Sequence, residues 1–326
     1  MSSAGASRRA VLTSAAAFVT GALLLAGCGN DDGSDATSAA KESSTRRITD
    51  ATGREVQVPS APRKVVTLSE PTLDAALALG VEPVGATAGR GQQGVSSYLA
   101  VKAEKAEVVA TVAEADMEKV ASLRPDLILL DETTAAKKEV AKLQAIAPTV
   151  VTAKLNEDWK KAFTATADAL NKKAQAEKVL TDFDTDVAAT KKKLGENAGA
   201  VLSVVRWQNG APSVVGKGVG HVGSTISALG LARPKDQQDA GTGHSEPVSL
   251  EKLSTIDGDW LFFGALGDRA AGEKAYAEAR KVANFGRLKA EEDGHVVVID
   301  GSAWNSAGGP LAARVVLDDL TRALAP

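Results

Sequence analysis

The chain has 326 residues, 44% of them hydrophobic and 24% charged, inside the range of soluble globular proteins and long enough for two lobes that each bury a core. Its single cysteine excludes an intrachain disulfide framework. Thirty-eight basic against 41 acidic residues give a net charge of −3, and no long basic run follows residue 47, so nucleic acid is not an expected partner.

Residues 7–12 read Ser-Arg-Arg-Ala-Val-Leu and residues 25–28 read Leu-Ala-Gly-Cys, with no acidic residue before Cys28. A positive start, an apolar stretch and small residues before a cut describe a secretory signal. The segment resembles a bacterial lipoprotein signal of twin-arginine type. That resemblance implies that residues 1–27 are removed and that Cys28 carries a diacylglyceryl anchor. Residues 28–46, rich in Gly, Ser, Asp and Thr, read as a flexible tether reaching roughly 20 to 25 Å.

From residue 47 onward, short β-branched runs alternate with helical patterns, which points to βα units and a largely parallel sheet. Residues 48–58 suggest a hairpin turning at Ala51-Thr52-Gly53. A strand follows at 65–68, then a helix at 71–79 with Ser69 as N-cap and Gly80 at its end. Further strands are expected near 83–86, 107–109, 127–130 and 149–152, with helices near 116–123 and 135–146. Residues 47–155 form the first lobe.

The period then changes. Trp159, Phe163, Ala167 and Leu170 share one helical face, and Leu180, Phe183, Val187 and Leu194 share another. Two helices are expected across 156–195, the second crossing between lobes.

Residues 196–326 form the second lobe, which repeats parts of the first. Asp116-Met-Glu-Lys-Val-Ala-Ser-Leu-Arg-Pro-Asp126 and the following Leu-Ile-Leu-Leu align without gaps to Ser249-Leu-Glu-Lys-Leu-Ser-Thr-Ile-Asp-Gly-Asp259 and Trp-Leu-Phe-Phe. Leu77-Ala-Leu-Gly-Val-Glu-Pro83 echoes Leu229-Gly-Leu-Ala-Arg-Pro234. Two echoes in the same order argue for duplicated lobes. The fold class is therefore α/β: two similar lobes with largely parallel sheets, a long rigid interlobe helix, and a ligand cleft between the lobes.

Residues 47–326 resemble the iron-siderophore and cobalamin substrate-binding proteins of ABC importers. The resemblance is carried by Asp50-Ala-Thr-Gly-Arg-Glu-Val-Gln-Val-Pro59, Arg63-Lys-Val-Val66 and Ala78-Leu-Gly-Val-Glu-Pro-Val-Gly85. It continues in Arg124-Pro-Asp-Leu-Ile128, Gly308-Gly-Pro-Leu-Ala312 and Val316-Leu-Asp-Asp-Leu320. It implies a monomeric, non-enzymatic lipoprotein on the outer face of the cell membrane. Such a protein needs no cofactor, captures a ferric siderophore and delivers it to an ABC permease dimer with its ATPase. Glu118 and Glu251 hold the same place in the two repeats, and the resemblance implies that they dock on permease arginines.

Gly218-Val-Gly-His-Val-Gly223 matches a dinucleotide fingerprint, but residues 231–247 form a polar loop where the second strand and its acidic residue belong. It is read as a turn or ligand loop. Gly243-His-Ser-Glu-Pro247 puts Pro where a nucleophile elbow needs Gly. His221, His244 and His295 lack metal-ligand spacing, so no dedicated metal site is expected.

In open α/β lobes, ligands sit beyond the carboxyl ends of the strands. The loops expected there hold Ser69, Glu70, Arg90, Asp131 and Glu132 in the first lobe, and Arg206, Trp207, His221, Arg269 and Trp304 in the second. The predicted ligand-binding residues are Arg90, Arg206, Trp207, His221, Trp304 and Glu70. Guanidinium forks donate to the oxygens around a ferric ion, and indole faces cover an apolar chelate backbone. A hydroxamate siderophore is expected, because a tris-catecholate would favour a denser basic pocket. The alternatives are cobalamin or haem, or a lipid-anchored hydrolase using Ser245 or the Asp131 and Glu132 carboxylates.

Overall fold

The computed structural model describes residues 44–238 and 244–326. The expected signal peptide, Cys28, Gly243 and most of the tether lie outside them.

The described chain opens with β1 (Thr45–Thr49) and β2 (Glu55–Pro59), an antiparallel pair. The strand begins inside the stretch expected to be tether: Thr45 and Arg46 already pair with Pro59 and Val58. Their polarity misleads because only Ile48 of β1 is buried, so one polar face is open to water. At the turn, Asp50 Oδ1 accepts the amides of Thr52 and Arg54 at 2.9 and 3.1 Å, while Gly53 supplies the positive φ of 86°.

The first lobe runs β3 (Val65–Thr67), α1 (Glu70–Ala78), β4 (Gly85–Thr87), β5 (Glu107–Ala110), α2 (Met117–Ser122), β6 (Leu127–Leu130), α3 (Val140–Gln144) and β7 (Thr149–Val151). Its five strands stand in the order β5-β4-β3-β6-β7, all parallel. Leu127–Leu130 is buried throughout, as an interior parallel strand with both faces covered requires. The helix expected at 135–146 divides into a 3₁₀ turn over Ala135–Glu139 and the short α3.

Helices α4 (Trp159–Ala169) and α5 (Lys173–Lys193) follow. The 21 residues of α5 span about 32 Å at 1.5 Å each. Ala176, in its first turn, belongs to the first lobe's core with Val65 and Leu127. Phe183 and Val187 belong to the second lobe's core with Leu202 and Val204.

The second lobe runs β8 (Leu202–Gln208), β9 (Ala211–Val214), α6 (His221–Leu229), β10 (Trp260–Gly264), α7 (Arg269–Ala279), α8 (Lys289–Glu292), β11 (Val296–Val298), α9 (Gly301–Trp304) and α10 (Pro310–Leu324). Its sheet order is β11-β10-β8-β9, with β9 antiparallel to β8 and the other pairs parallel. Asn209 and Gly210, at φ 53° and 80°, make the tight turn joining β8 to β9. The sequence repeat emerges as structure: Asp116 caps α2 ahead of β6, and Ser249 caps a 3₁₀ helix, Leu250–Ile256, ahead of β10.

Polar ties hold the two lobes at their junction. Ser97 Oγ bonds Ser302 Oγ at 2.7 Å and both Asp300 oxygens at 3.1 Å. Trp159 donates its indole N–H to Ser224 at 2.8 Å. Asp74 of α1, fully buried, accepts the α10 amides of Leu311 and Ala312 at 2.9 Å and the Tyr98 hydroxyl at 2.9 Å.

Candidate ligand cleft

A cleft of about 470 Å³ opens between the lobes, within the size range of small-molecule sites. The first lobe supplies Pro71, Arg90, Asp131, Thr133 and the segment after β7. The second supplies Arg206, the glycine loop before α6, the first turn of α6, and the segment from Trp304 to Gly308. These segments follow strands or end them, as the topology of parallel lobes demands.

Arg90 is fixed by its neighbour. Its amide donates to Glu70 Oε1 at 2.9 Å and its Nε lies 3.8 Å from Glu70 Oε2, while the side chain stays 32% exposed. Glu70 also accepts from Ser96 Oγ at 3.2 Å. Burial raises the Glu70 carboxyl above the usual range, against the opposing effect of the Arg90 amide. Glu70 thus opens α1 and positions Arg90 from behind, whereas the sequence placed it in a ligand loop.

Arg206 lies on β8, not on a loop, and is 8% exposed. Burial, then the nearby Arg90 charge, pulls its pKa below the usual guanidinium value. Among the described residues no carboxylate stands within ion-pair distance of it, and its Nε has no hydrogen-bond partner. Trp207 is the next residue on the same strand, and successive strand side chains point to opposite faces. Trp207 therefore turns away from the cleft and packs on Phe263 and Phe285 at 5.9 and 6.1 Å. Its expected ligand role is corrected to a core role.

Trp304 does line the cleft, but as a wall that is 1% exposed. Its indole stacks on Phe262 at 5.0 Å and donates to Asp319 Oδ2 at 3.0 Å. His221, expected on a loop, is the first residue of α6. It is buried, its Nε2 lies 2.6 Å from the Ala303 carbonyl, and burial pulls its pKa down to about 4. The ring is therefore neutral at neutral pH and donates Nε2–H to that carbonyl.

The other sequence candidates separate. Asp131 lines the cleft with Oδ1 accepting the Thr133 amide at 2.8 Å, whereas Glu132 points elsewhere and accepts the Leu155 amide at 3.0 Å. Ser245 donates to the Glu246 carbonyl at 2.7 Å, an arrangement that activates no nucleophile. His295 stacks on Trp260 at 4.2 Å and is structural. Glu118 and Glu251 are both exposed, each the second residue of its capped helix.

Two contributors escaped the sequence reading. Asn305 Oδ1 and Ser306 Oγ are buried in the cleft wall without partners. The only cue was their place a few residues beyond β11. Arg206 Nε likewise has no hydrogen-bond partner, and Arg90 Nε has only the 3.8 Å ion pair with Glu70, so four polar groups from two lobes face the cleft with hydrogen-bonding capacity to spare, since buried polar atoms are otherwise paired. Among the described residues no His, Cys, Asp and Glu cluster is able to hold a metal ion.

The model of the periplasmic binding protein family matches residues 65–303. A Bacillus subtilis protein named "Probable siderophore-binding lipoprotein YfiY" is 31% identical over 312 residues, covering 93% of this chain and 94% of that protein. The iron(3+)-hydroxamate-binding protein FhuD of the same species is 29% identical over 282 residues, covering 85% and 86%. The structure of Staphylococcus aureus SirA complexed with staphyloferrin B superposes with a TM-score of 0.73 at 28% identity, over 86% of this chain and 98% of that one.

Proposed function

The chain belongs to the periplasmic binding protein family, whose relatives here are substrate-binding proteins and not enzymes, and from that premise we propose that it captures a ferric siderophore and hands it to an ABC importer. The observation that carries this reading is the convergence of Arg90, Arg206, Asn305 and Ser306 on one interlobe cleft with polar atoms unpartnered. The Arg90 and Arg206 guanidinium groups and the Ser306 hydroxyl are donors that suit the oxygen shell of an organic iron chelate, while Asn305 Oδ1, whose amide nitrogen donates to the Ala265 carbonyl, is an acceptor for a donor of the chelate. The iron travels as cargo inside that chelate, so no protein metal ligand is required. The hydroxamate class has the FhuD relative in its favour; the unpartnered Arg206 favours an anionic chelate.

Among the described residues no tyrosine lines the cleft, Tyr98 and Tyr276 donate to Asp74 and Glu291, and His221 Nε2 is engaged; of the axial ligands haem takes, His244 is the one other side chain in the described lining. Titration of the purified protein with ferric chelates, their iron-free forms, cobalamin and haem tests the reading. Saturable binding confined to ferric chelates is expected; binding of cobalamin or haem alone would replace it.

The protein acts, in this proposal, outside the cytoplasm, held to the membrane by lipid on Cys28. Mass spectrometry of the mature N-terminus checks this: an acylated Cys28 is expected, and a different first residue overturns it. Glu118 and Glu251, exposed on equivalent helices of the two lobes, are proposed to meet the two halves of a dimeric permease.

A further inference from the structure

The glycine-rich motif before α6 has a use that the receptor reading alone does not assign. Gly216 and Gly218 adopt φ of 69° and 71°, and a Cβ on Gly223 would lie 2.6 and 2.7 Å from the Gly216 and Gly218 carbonyl oxygens. Only glycine lets the loop fold this closely over the first turn of the helix. Gly220, the N-cap of α6, brings no side-chain cap, and the amides of His221, Val222 and Gly223 have no intrahelical acceptor. Those residues line the cleft together with Arg206, a buried guanidinium whose Nε is unpartnered. An uncapped helix N-terminus and an uncompensated buried cation on one wall both call for an anion.

Resting on the ferric-siderophore reading, we propose that the first turn of α6 and Arg206 together seat a carboxylate of the ligand, with Arg90 opposite, so that the transported chelate is of the α-hydroxycarboxylate class. Among the described lining residues, Arg206 has no carboxylate within ion-pair distance, whereas Arg90 faces Glu70. A ferric trihydroxamate carries no net charge, because three hydroxamate anions balance the ferric ion, and it leaves Arg206 uncompensated. A ferric tris-catecholate is anionic but brings aromatic rings. The cleft tryptophans offer them no free face: Trp159 and Trp304 are 4% and 1% exposed and already pack on Phe183 and Phe262. A compact anionic chelate without rings fits both the charge and the walls.

The test is equilibrium binding of ferric citrate, iron-free citrate, ferrichrome and ferric enterobactin to the purified protein and its variants. Ferric citrate is expected to bind at least about tenfold more tightly than ferrichrome, and Arg206→Gln to remove about tenfold of the ferric citrate affinity. Should Arg206→Gln fail to fold, Arg90→Gln, at the more exposed guanidinium, is expected to weaken ferric citrate by about fivefold. Equal or tighter ferrichrome binding, or iron-free citrate binding as well as ferric citrate, overturns the carboxylate seat and leaves the receptor reading standing. So does a folded variant whose ferric citrate affinity is unchanged. Loss of all saturable binding by the three ferric chelates overturns the receptor reading itself.

Discussion

Asp74 and Gly309 meet across the junction of the lobes, with the Gly309 amide donating to Asp74 Oδ2 at 3.1 Å. The two residues lie 235 positions apart, yet the contact makes a first-lobe carboxylate the N-terminal cap of α10. Asp74 also accepts from Leu311, Ala312 and Tyr98, and all four partners are donors, which suits an ionised acceptor.

Removing that acceptor strands buried donors. Asp74→Ala is expected to destabilise the protein by about 3 kcal/mol or more, as loss of a buried multiply bonded carboxylate does. Gly309→Ala would place a carbon 2.8 Å from Asp74 Oδ1 and should cost about 1 to 3 kcal/mol by overpacking. Urea denaturation of both variants measures this; an unchanged midpoint for Asp74→Ala would show that the tie is dispensable.

Trp207 separates core from cleft by mutation. Trp207→Ala opens a hole against Phe263 and Phe285 and should cost about 3 to 5 kcal/mol. The folded protein should keep its ligand affinity within about twofold, equivalent to ~0.4 kcal/mol. A large affinity loss with an unchanged denaturation midpoint would return Trp207 to the site.

Local pattern carried much of this architecture and missed what depends on direction or distance. Leu127–Leu130 and Trp260–Gly264, with the capped turns before them, were legible because a buried parallel strand writes an uninterrupted apolar run. Asn209-Gly210 is an equally local hairpin signal, and overlooking it put Arg206 and Trp207 on one loop where strand alternation sends them to opposite faces. Asp74 was beyond reach for another reason. In Pro71-Thr-Leu-Asp-Ala-Ala76 it reads as a solvated helix carboxylate, and only the folded chain brings α10 to it. Asn305 and Ser306 carry no spacing or motif, so their orphaned atoms became visible only within the cleft.

His221 gives the fold an acid-sensitive point. Burial disfavours its charged form and takes the pKa from 6.5 to about 4, against the opposing Ala303 hydrogen bond. The unfolded chain therefore binds this proton first as pH falls. The stability it confers is complete above pH 6.5 and is lost progressively toward pH 4, by about 3 kcal/mol in the limit at ~1.4 kcal/mol per pH unit. His221→Gln should flatten the pH dependence of stability between those limits. An identical slope in the variant would assign the acid sensitivity to other groups.

Glu118 and Glu251 each stand second in a capped helical turn that leads into a central strand, one per lobe and both exposed. A carboxylate in a first turn favours the helix dipole by about 0.3 to 1 kcal/mol, so each has a local reason to be acidic. Duplication of the lobes places both carboxylates in equivalent positions, and a two-fold permease presenting the same basic pocket twice would give that equivalence a use. Neither residue lines the cleft, so docking and ligand capture should separate on mutation. Glu118→Ala with Glu251→Ala is expected to abolish uptake of the ferric ligand in cells while leaving affinity within about twofold, ~0.4 kcal/mol. Each single variant should retain part of the transport, since one contact still steers the complex. Stability should fall by no more than about 1 kcal/mol per site. Transport assays beside binding titrations on the same variants decide it: normal uptake by a stable, correctly anchored double variant removes the docking role and leaves the helix dipole as the reason for both carboxylates.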